Sequence, residues 1–298
     1  MAEKQQKNNF NKQAFSKKQT EYTQRIDKVL DQVVQSLEYP HRLLDAIKYS
    51  LMTGGKRMRP CMFYATLNMF NKTLDDKADM VAASLECIHT YSLIHDDLPC
   101  MDNDDVRRGR PTNHMIYGEG TSVLAGSALL NMAYEMLFEL AIFRPYHSAS
   151  MCIASFSGGM GMIGGQVEDI SLDDEPQPSK LQYIYLKKTA ALFSACMLSA
   201  GLIAGADTKH LKLLSDFANS FGFAFQLQDD LEEHFNGTIT ESDTQKYNWI
   251  VAHGEQETLA ELNKHLSICK ETLSDLSADF NVDFFRGVLG TYFNKHEE

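Results

Sequence analysis

Proline is scarce in this chain, at seven in 298 residues, while Ala, Leu and Met are common, so long helices meet few breakers. No stretch alternates apolar and polar residues at the period of a strand, and no repeat recurs at a fixed interval. The six cysteines (Cys61, Cys87, Cys100, Cys152, Cys196 and Cys269) contain no CxxC pair. That spacing excludes the usual zinc knot and disulfide framework. Reduced thiols in a cytoplasmic protein are the expectation. No apolar run reaches the ~18–20 residues of a membrane-crossing helix, so no membrane span is expected. The first residues lack the apolar core of a signal peptide. Positive charge is also in deficit, with a formal net charge of -12, which argues against nucleic acid or an anionic membrane surface as a general partner. Residues 1–19 carry Lys, Gln and Asn and little that packs; they read as a flexible tail ahead of one domain, 20–298, without a clean internal boundary.

What is present is helical periodicity. Ile26, Val29, Leu30, Val33 and Leu37 form one apolar face. A helix follows Pro40 and ends at Gly54-Gly55. Further helices are predicted over Cys61–Phe70, Ala78–His95, Gly120–Ala141, Met151–Gly165, Leu181–Ala206 and Leu211–Glu233, then over about 243–253, 255–277 and 279–295. The fold class is all-α, a large helical bundle.

Three clusters of polar residues interrupt this pattern. In Asp96–Pro111, five aspartates fall within ten residues and Arg107, Arg108 and Arg110 follow. Crowded carboxylates repel unless a cation lies among them. Hard oxygens select Mg²⁺, which takes phosphate oxygens as further ligands, and arginine grips phosphate bidentately. A solvated acidic loop is the plainer reading. His89, Ser92 and Asp96 share one helix face, and Pro99 ends that helix, so Asp102 has to return from a loop. In Gly54-Gly55-Lys56-Arg57-Met58-Arg59-Pro60, basic residues sit at a glycine turn that backbone or ligand can approach closely. A C-cap complementing the helix dipole accounts for them equally well. Gln226, Asp229, Asp230 and Glu233 form a polar stripe on an otherwise apolar helix, costly to bury without a counter-charge. For the glycines of 158–165, close helix crossing is the favoured explanation. Glu86 and His89 supply one Glu-x-x-His pair, but no second appears, which speaks against a di-iron bundle.

Taken in order, Gly54-Gly55-Lys56-Arg57-x-Arg59-Pro60, Glu86-Cys87-Ile88-His89-x-Tyr91-Ser92-Leu93-Ile94-His95-Asp96-Asp97-Leu98-Pro99, Met101-Asp102, Arg107-Arg108-Gly109-x-Pro111-Thr112, Gly164-Gly165-Gln166, Lys188-Thr189 and Phe225-Gln226-x-x-Asp229-Asp230 resemble the bacterial short-chain trans-isoprenyl diphosphate synthases, the farnesyl diphosphate synthases (geranyltranstransferases) in particular. The resemblance implies a bundle around a deep central cavity, a homodimer, and head-to-tail condensation of an allylic diphosphate with isopentenyl diphosphate through an allylic cation. It implies three Mg²⁺ ions, with Asp96, Asp97 and Asp102 as ligands on one acidic wall and Asp229 and Glu233 on the other. Asp96, Asp97 and Lys188 would be the catalytic residues. Arg107, Lys188, Thr189 and Gln226 would hold the allylic substrate; Lys56, Arg59, His89 and Arg108 would hold isopentenyl diphosphate. Tyr91 lies five residues before Asp96, about 7.5 Å along a helix; with Ser92 it resembles the floor that limits product length. The chain departs from the family at Glu233, where an aspartate is usual, at Ala190, where a glycine is usual, and between Asp229 and Tyr247, which is short. Lys246 stands there out of register, with Thr244 where the family has lysine. Those departures leave a non-catalytic subunit of a heteromeric synthase, or a geranylgeranyl product, as alternatives. A class I terpene cyclase shares the metal chemistry but has no need of Lys56, Arg59 and His89.

Overall fold

In a computed structural model, residues 12–171, 178–236 and 248–293 are described. The fold is all-α, as the sequence indicates. The helices are α1 Lys12–Gln35, α2 His41–Leu51, α3 Met58–Met69, α4 Asp76–Asp96, α5 Asn113–Tyr117, α6 Glu119–Leu140, α7 Arg144–Ser157, α8 Met162–Ile170, α9 Pro178–Ile184, α10 Ala191–Ala204, α11 Thr208–Asn236, α12 Trp249–Leu276 and α13 Asp283–Tyr292. A π-helical turn, Tyr185–Ala190, joins α9 to α10. One antiparallel ribbon, β1 Val106–Arg107 with β2 Arg110–Pro111, folds the arginine segment back on itself; two-residue strands are too short to leave an alternation in the sequence.

The chain divides into two compact units: Gln19–Met151, and Cys152 onward together with the start of α1 up to Lys18. In the first, Ile26, Leu30, Ile47, Leu51, Met62, Phe63 and Tyr64 are fully buried. Tyr64 donates to Asp79 at 2.6 Å and Arg25 donates to the same carboxylate at 2.7 Å, so a polar hub lies under the core. Helix α4 is capped by Asp75, which accepts from the Ala78 N–H at 2.9 Å. In the second unit the core is aromatic: Phe193, Phe217, Phe221, Phe223 and Phe285 are fully buried, with Phe193 edge-on to Phe221 at 5.0 Å.

Several boundaries differ from the sequence reading, each for a local reason. Helix α1 already runs at Lys12, inside the expected tail, because Phe15 is buried against Gly287 and packs on Phe284 at 5.3 Å. The helix expected over Met151–Gly165 is broken after Ser157, where Gly161 leaves helical geometry (φ -128°, ψ -125°). Pro178 opens α9 within the expected loop, at the position where a missing N–H costs nothing. The expected break between 253 and 255 is found at Gly254, at φ 79° and ψ 168°, a kink within α12. By length and composition alone, Glu119–Leu140 and Pro178–Ala204 match a membrane span. The second is 72% buried, the mark of a core helix, and the first 44%.

Small residues set the crossings of the second unit. A side chain on Gly165 would meet the Lys188 backbone, and one on Gly222 would meet Ala190. The alanine at 190 is thus accommodated by the glycine opposite. Gly222→Val should force α11 off the π turn and lower stability by about 1–3 kcal/mol, as overpacking does. The thermal unfolding midpoint reports it; an unchanged midpoint would show a looser crossing.

Candidate active site

In the first unit the polar residues gather at two ends of buried helices. Residues 81–88 of α4 are all buried, whereas His89, Ser92 and Asp96 open to a partly accessible strip, so the face they share is where this helix offers polar groups. The chain then doubles back: the Asp102 N–H donates to the Asp96 carbonyl at 2.8 Å, with Met101 and Asn103 donating to Leu98. Asp102 therefore returns to the turn that bears Asp96, as the proline had suggested. Asp97 is buried beside them, and the Arg107 guanidinium donates to it at 2.5 Å and to Asp104 at 3.2 Å. Burial pushes the Asp97 carboxyl up from its ordinary range, against the opposing pull of Arg107.

The basic cluster forms around Gly54 and Gly55, both at positive φ (83° and 124°). Arg108 lies over Gly55 and donates to the Gly54 carbonyl at 2.5 Å; a Cβ at Gly55 would collide with that guanidinium. Arg59 donates to His89 Nε2 at 3.2 Å. Arginine can only donate, so Nε2 carries the lone pair and the proton sits on Nδ1. Burial first, then the charges of Arg59, Arg108, Arg107 and Arg57, hold the His89 pKa well below its ordinary value. Positive charge is thus concentrated around a neutral imidazole, in a chain of net negative charge. Lys56 is exposed at the same turn.

Arg57 behaves differently from its neighbours. It is buried, at φ 45°, pairs with Glu86 at 2.7 Å and Asp27 at 2.8 Å, and donates to the Leu51 carbonyl. It ties the glycine turn to α4 and is not presented to a ligand. Sequence alone gave it the same charge as Lys56 and Arg59; its buried partner Glu86 was the distinguishing signal. Tyr91 is buried with its ring edge-on to His95 at 5.7 Å, and its hydroxyl has no hydrogen-bond partner among the described residues. Ser92 donates to the His89 carbonyl at 2.9 Å.

In the second unit, Gly165 lets α8 lie against the π turn, and Asp169, one turn further on the same helix, meets Lys188 at 2.5 Å. Thr189 donates to Gln226 Oε1 at 2.9 Å. The expected stripe on α11 is split. Asp229 is partly buried and Glu233 exposed, while Asp230 turns inward and is buried. Tyr185 donates its hydroxyl to Asp230, as do the Gln226 amide at 3.1 Å and the Trp249 N–H at 3.2 Å. Burial raises the Asp230 carboxyl to about 7 despite those donors. Asp169 and Tyr185 were missed as site residues, their spacings from Gln166 and Lys188 being the available signals, and Asp230 was read only as one member of the polar stripe. Thr244, Lys246 and Tyr247 lie outside the described residues.

Carboxylate oxygens are the hard donors Mg²⁺ takes, and the return of Asp102 to Asp96 places two of them on one turn, so the residues suit that ion. Among the described residues no three His, Cys, Asp or Glu side chains already converge on a point. Mg²⁺ does not require this, since it binds through one or two carboxylates and fills its shell with water and phosphate.

Comparison with known proteins agrees with this chemistry. A family model described as polyprenyl synthetase matches residues 40–272. The farnesyl diphosphate synthase of Geobacillus stearothermophilus is 39% identical over 217 residues, 71% of this chain and 72% of that protein. The geranylgeranyl diphosphate synthase of Cyanophora paradoxa is 37% identical over 246 residues, 78% of this chain and 82% of its own. The crystal structure of a geranyltransferase from Legionella pneumophila superposes with a TM-score of 0.84 at 28% identity, covering 93% of this chain and 95% of that one.

His89 should stay neutral through about pH 6.5, where free histidine titrates. Its folded pKa is depressed, so the stability it contributes is present above about 6.5 and lost as pH falls toward the folded value. Imidazole nitrogen shifts in NMR between about pH 8 and 5.5 measure this. A ring that protonates near 6.5 would contradict the arginine-ringed environment.

Proposed function

The chain belongs to the polyprenyl synthetase family of trans-prenyltransferases, and on that footing we propose that it condenses dimethylallyl or geranyl diphosphate with isopentenyl diphosphate to make farnesyl diphosphate. The observation that carries this reading is the pairing, within one unit, of the Asp96–Asp102 turn with the arginine-ringed His89: a metal-diphosphate end and a metal-free anion end, as a two-diphosphate reaction needs.

In this reading Asp96, Asp97 and Asp102 hold Mg²⁺ on the first unit, and Asp229 and Glu233 on the second. Mg²⁺, when bound, offsets the charge of the allylic diphosphate and makes it a better leaving group. Arg107, Lys188, Thr189 and Gln226 orient that diphosphate. Lys56, Arg59, Arg108 and the neutral His89 hold isopentenyl diphosphate by charge-assisted hydrogen bonds. Arg107 and Lys188, held by Asp97 and Asp169 until substrate arrives, are prealigned for phosphate oxygens. The buried ring of Tyr91 stops the growing chain at the farnesyl length. Its place five residues before Asp96 on one continuous helix supports that role. Exposed large apolar side chains at two places on α6, Leu124 at 63% and Phe138 at 70%, support association as a homodimer. Six free thiols support a cytoplasmic location.

The purified chain, given Mg²⁺, geranyl diphosphate and isopentenyl diphosphate, should release farnesyl diphosphate, identified by mass. No product, or product only after a second protein is added, overturns the proposal; geranylgeranyl diphosphate as the main product overturns the length assignment. Asp96→Ala should cut turnover at least about a hundredfold with the helical fold retained, since it removes a ligand that acts on the leaving group. Near-normal turnover would refute the metal role. Tyr91→Ala should shift the product spectrum to longer chains, and an unchanged spectrum would place the floor elsewhere.

A further inference from the structure

We propose that Asp230, with Tyr185 as its partner, is a positioning residue that fixes the orientation of the Gln226 amide and the Thr189 hydroxyl, and is not a metal ligand. The inference rests on the prenyl-transfer reading above and concerns residues of the second unit alone.

Asp230 adjoins Asp229, and by sequence the two are equivalent carboxylates. Their surroundings separate them. Both oxygens of Asp230 are engaged: Oδ2 accepts from the Tyr185 hydroxyl and the Trp249 N–H, and Oδ1 accepts from Gln226. The Trp249 N–H also donates to the Tyr185 oxygen at 2.8 Å. Around this knot the rings of Tyr185, Phe223 and Trp249 pack within 5.3–5.8 Å of one another and keep it from water. A metal ion reaching Asp230 would have to displace several donors inside an aromatic enclosure.

The direction of the hydrogen bonds then follows. Gln226 Nε2 faces Oδ1 and donates to it, the arrangement that fits the ionised carboxylate, which only accepts. Oε1 is thereby turned to Thr189, whose hydroxyl donates to it at 2.9 Å. The second Nε2 hydrogen is left to donate to an anionic oxygen of the substrate. Asparagine at 230 reverses one link. Its oxygen is held by Tyr185 and Trp249, its amide nitrogen faces Gln226, and the Gln226 amide must turn over to accept. The tyrosine also reaches the π turn, so the same knot holds the backbone that carries Lys188 and Thr189.

The test uses the full-length protein and four forms of it: wild type, Asp230→Asn, Tyr185→Phe and Asp229→Asn. Calorimetry with geranyl thiolodiphosphate, an unreactive analogue, in Mg²⁺ gives affinity; kinetics give KM for each diphosphate and the Mg²⁺ concentration for half-maximal rate. Asp230→Asn and Tyr185→Phe should weaken analogue binding and raise the allylic KM about tenfold, a change of one misdirected hydrogen bond. The KM for isopentenyl diphosphate and the Mg²⁺ requirement should stay within about twofold. Asp229→Asn should raise the Mg²⁺ requirement. The proposal is overturned if Asp230→Asn raises the Mg²⁺ requirement as Asp229→Asn does, or if Tyr185→Phe leaves analogue affinity unchanged. Should Asp230→Asn fail to fold by circular dichroism, Tyr185→Phe decides. A wild type that binds the analogue but forms no product counts against prenyl transfer, while the binding comparison still decides the role of Asp230.

Discussion

A charge taken out of water must be met by an opposite charge or by several hydrogen bonds, and the polar architecture of this protein follows from that requirement. Arg57 meets it with Glu86 and Asp27, Asp97 with Arg107, and Asp230 with Tyr185, Gln226 and the Trp249 N–H. The Arg57–Glu86 and Tyr185–Asp230 contacts tie stretches of chain 29 and 45 residues apart, and the Asp97–Arg107 pair closes a ten-residue loop. The Arg57 pair joins the glycine turn before α3 to the middle of α4; removing one partner of such a pair costs about 3–5 kcal/mol, because the other is stranded. Once that arginine is committed to the interior, its neighbours Lys56 and Arg59 are fixed in direction. The presentation of positive charge is thus a by-product of satisfying a buried one.

The same requirement divides residues that look alike in the sequence. Of two consecutive aspartates on α11, one is enclosed and saturated with donors and one is partly open. Of the arginines in the glycine turn, one is structural and one meets His89. Side-chain type specified the chemistry; burial assigned the task.

Much of the fold was legible. The 3.6-residue spacing located α1, α2, α4, α6 and α11, and the break at Gly254 was readable because only glycine enters that backbone region cheaply. The acidic turn and the cluster at Gly54–Arg59 were readable because their residue types are expensive anywhere but at a charged ligand or a solvated loop. Three things were not legible. Phe15 gave no periodic signal, since a single ring among Lys and Gln suffices to anchor the start of α1. The break between α7 and α8 was hidden because glycine serves helix crossing and helix ending alike. The inward turn of Asp230 depends on Tyr185 and Trp249, 45 and 19 residues away along the chain, and no local pattern records such partners.

The π turn at Tyr185–Ala190 has a consequence for how this region tolerates change in length. It holds one residue more than an α-helical turn, so the continuous rod from Pro178 to Ala204 already contains a spare residue. Losing one residue there would restore ordinary helix without breaking the rod or exposing its apolar length. The rotation of the extra residue is taken up inside the wide turn, so the helices on either side would keep their faces while the side chains within the turn shift against their partners. Lys188 would leave Asp169 and Thr189 would leave Gln226, with the scaffold intact. The turn therefore works as a register joint, where chain length and side-chain aim are set independently.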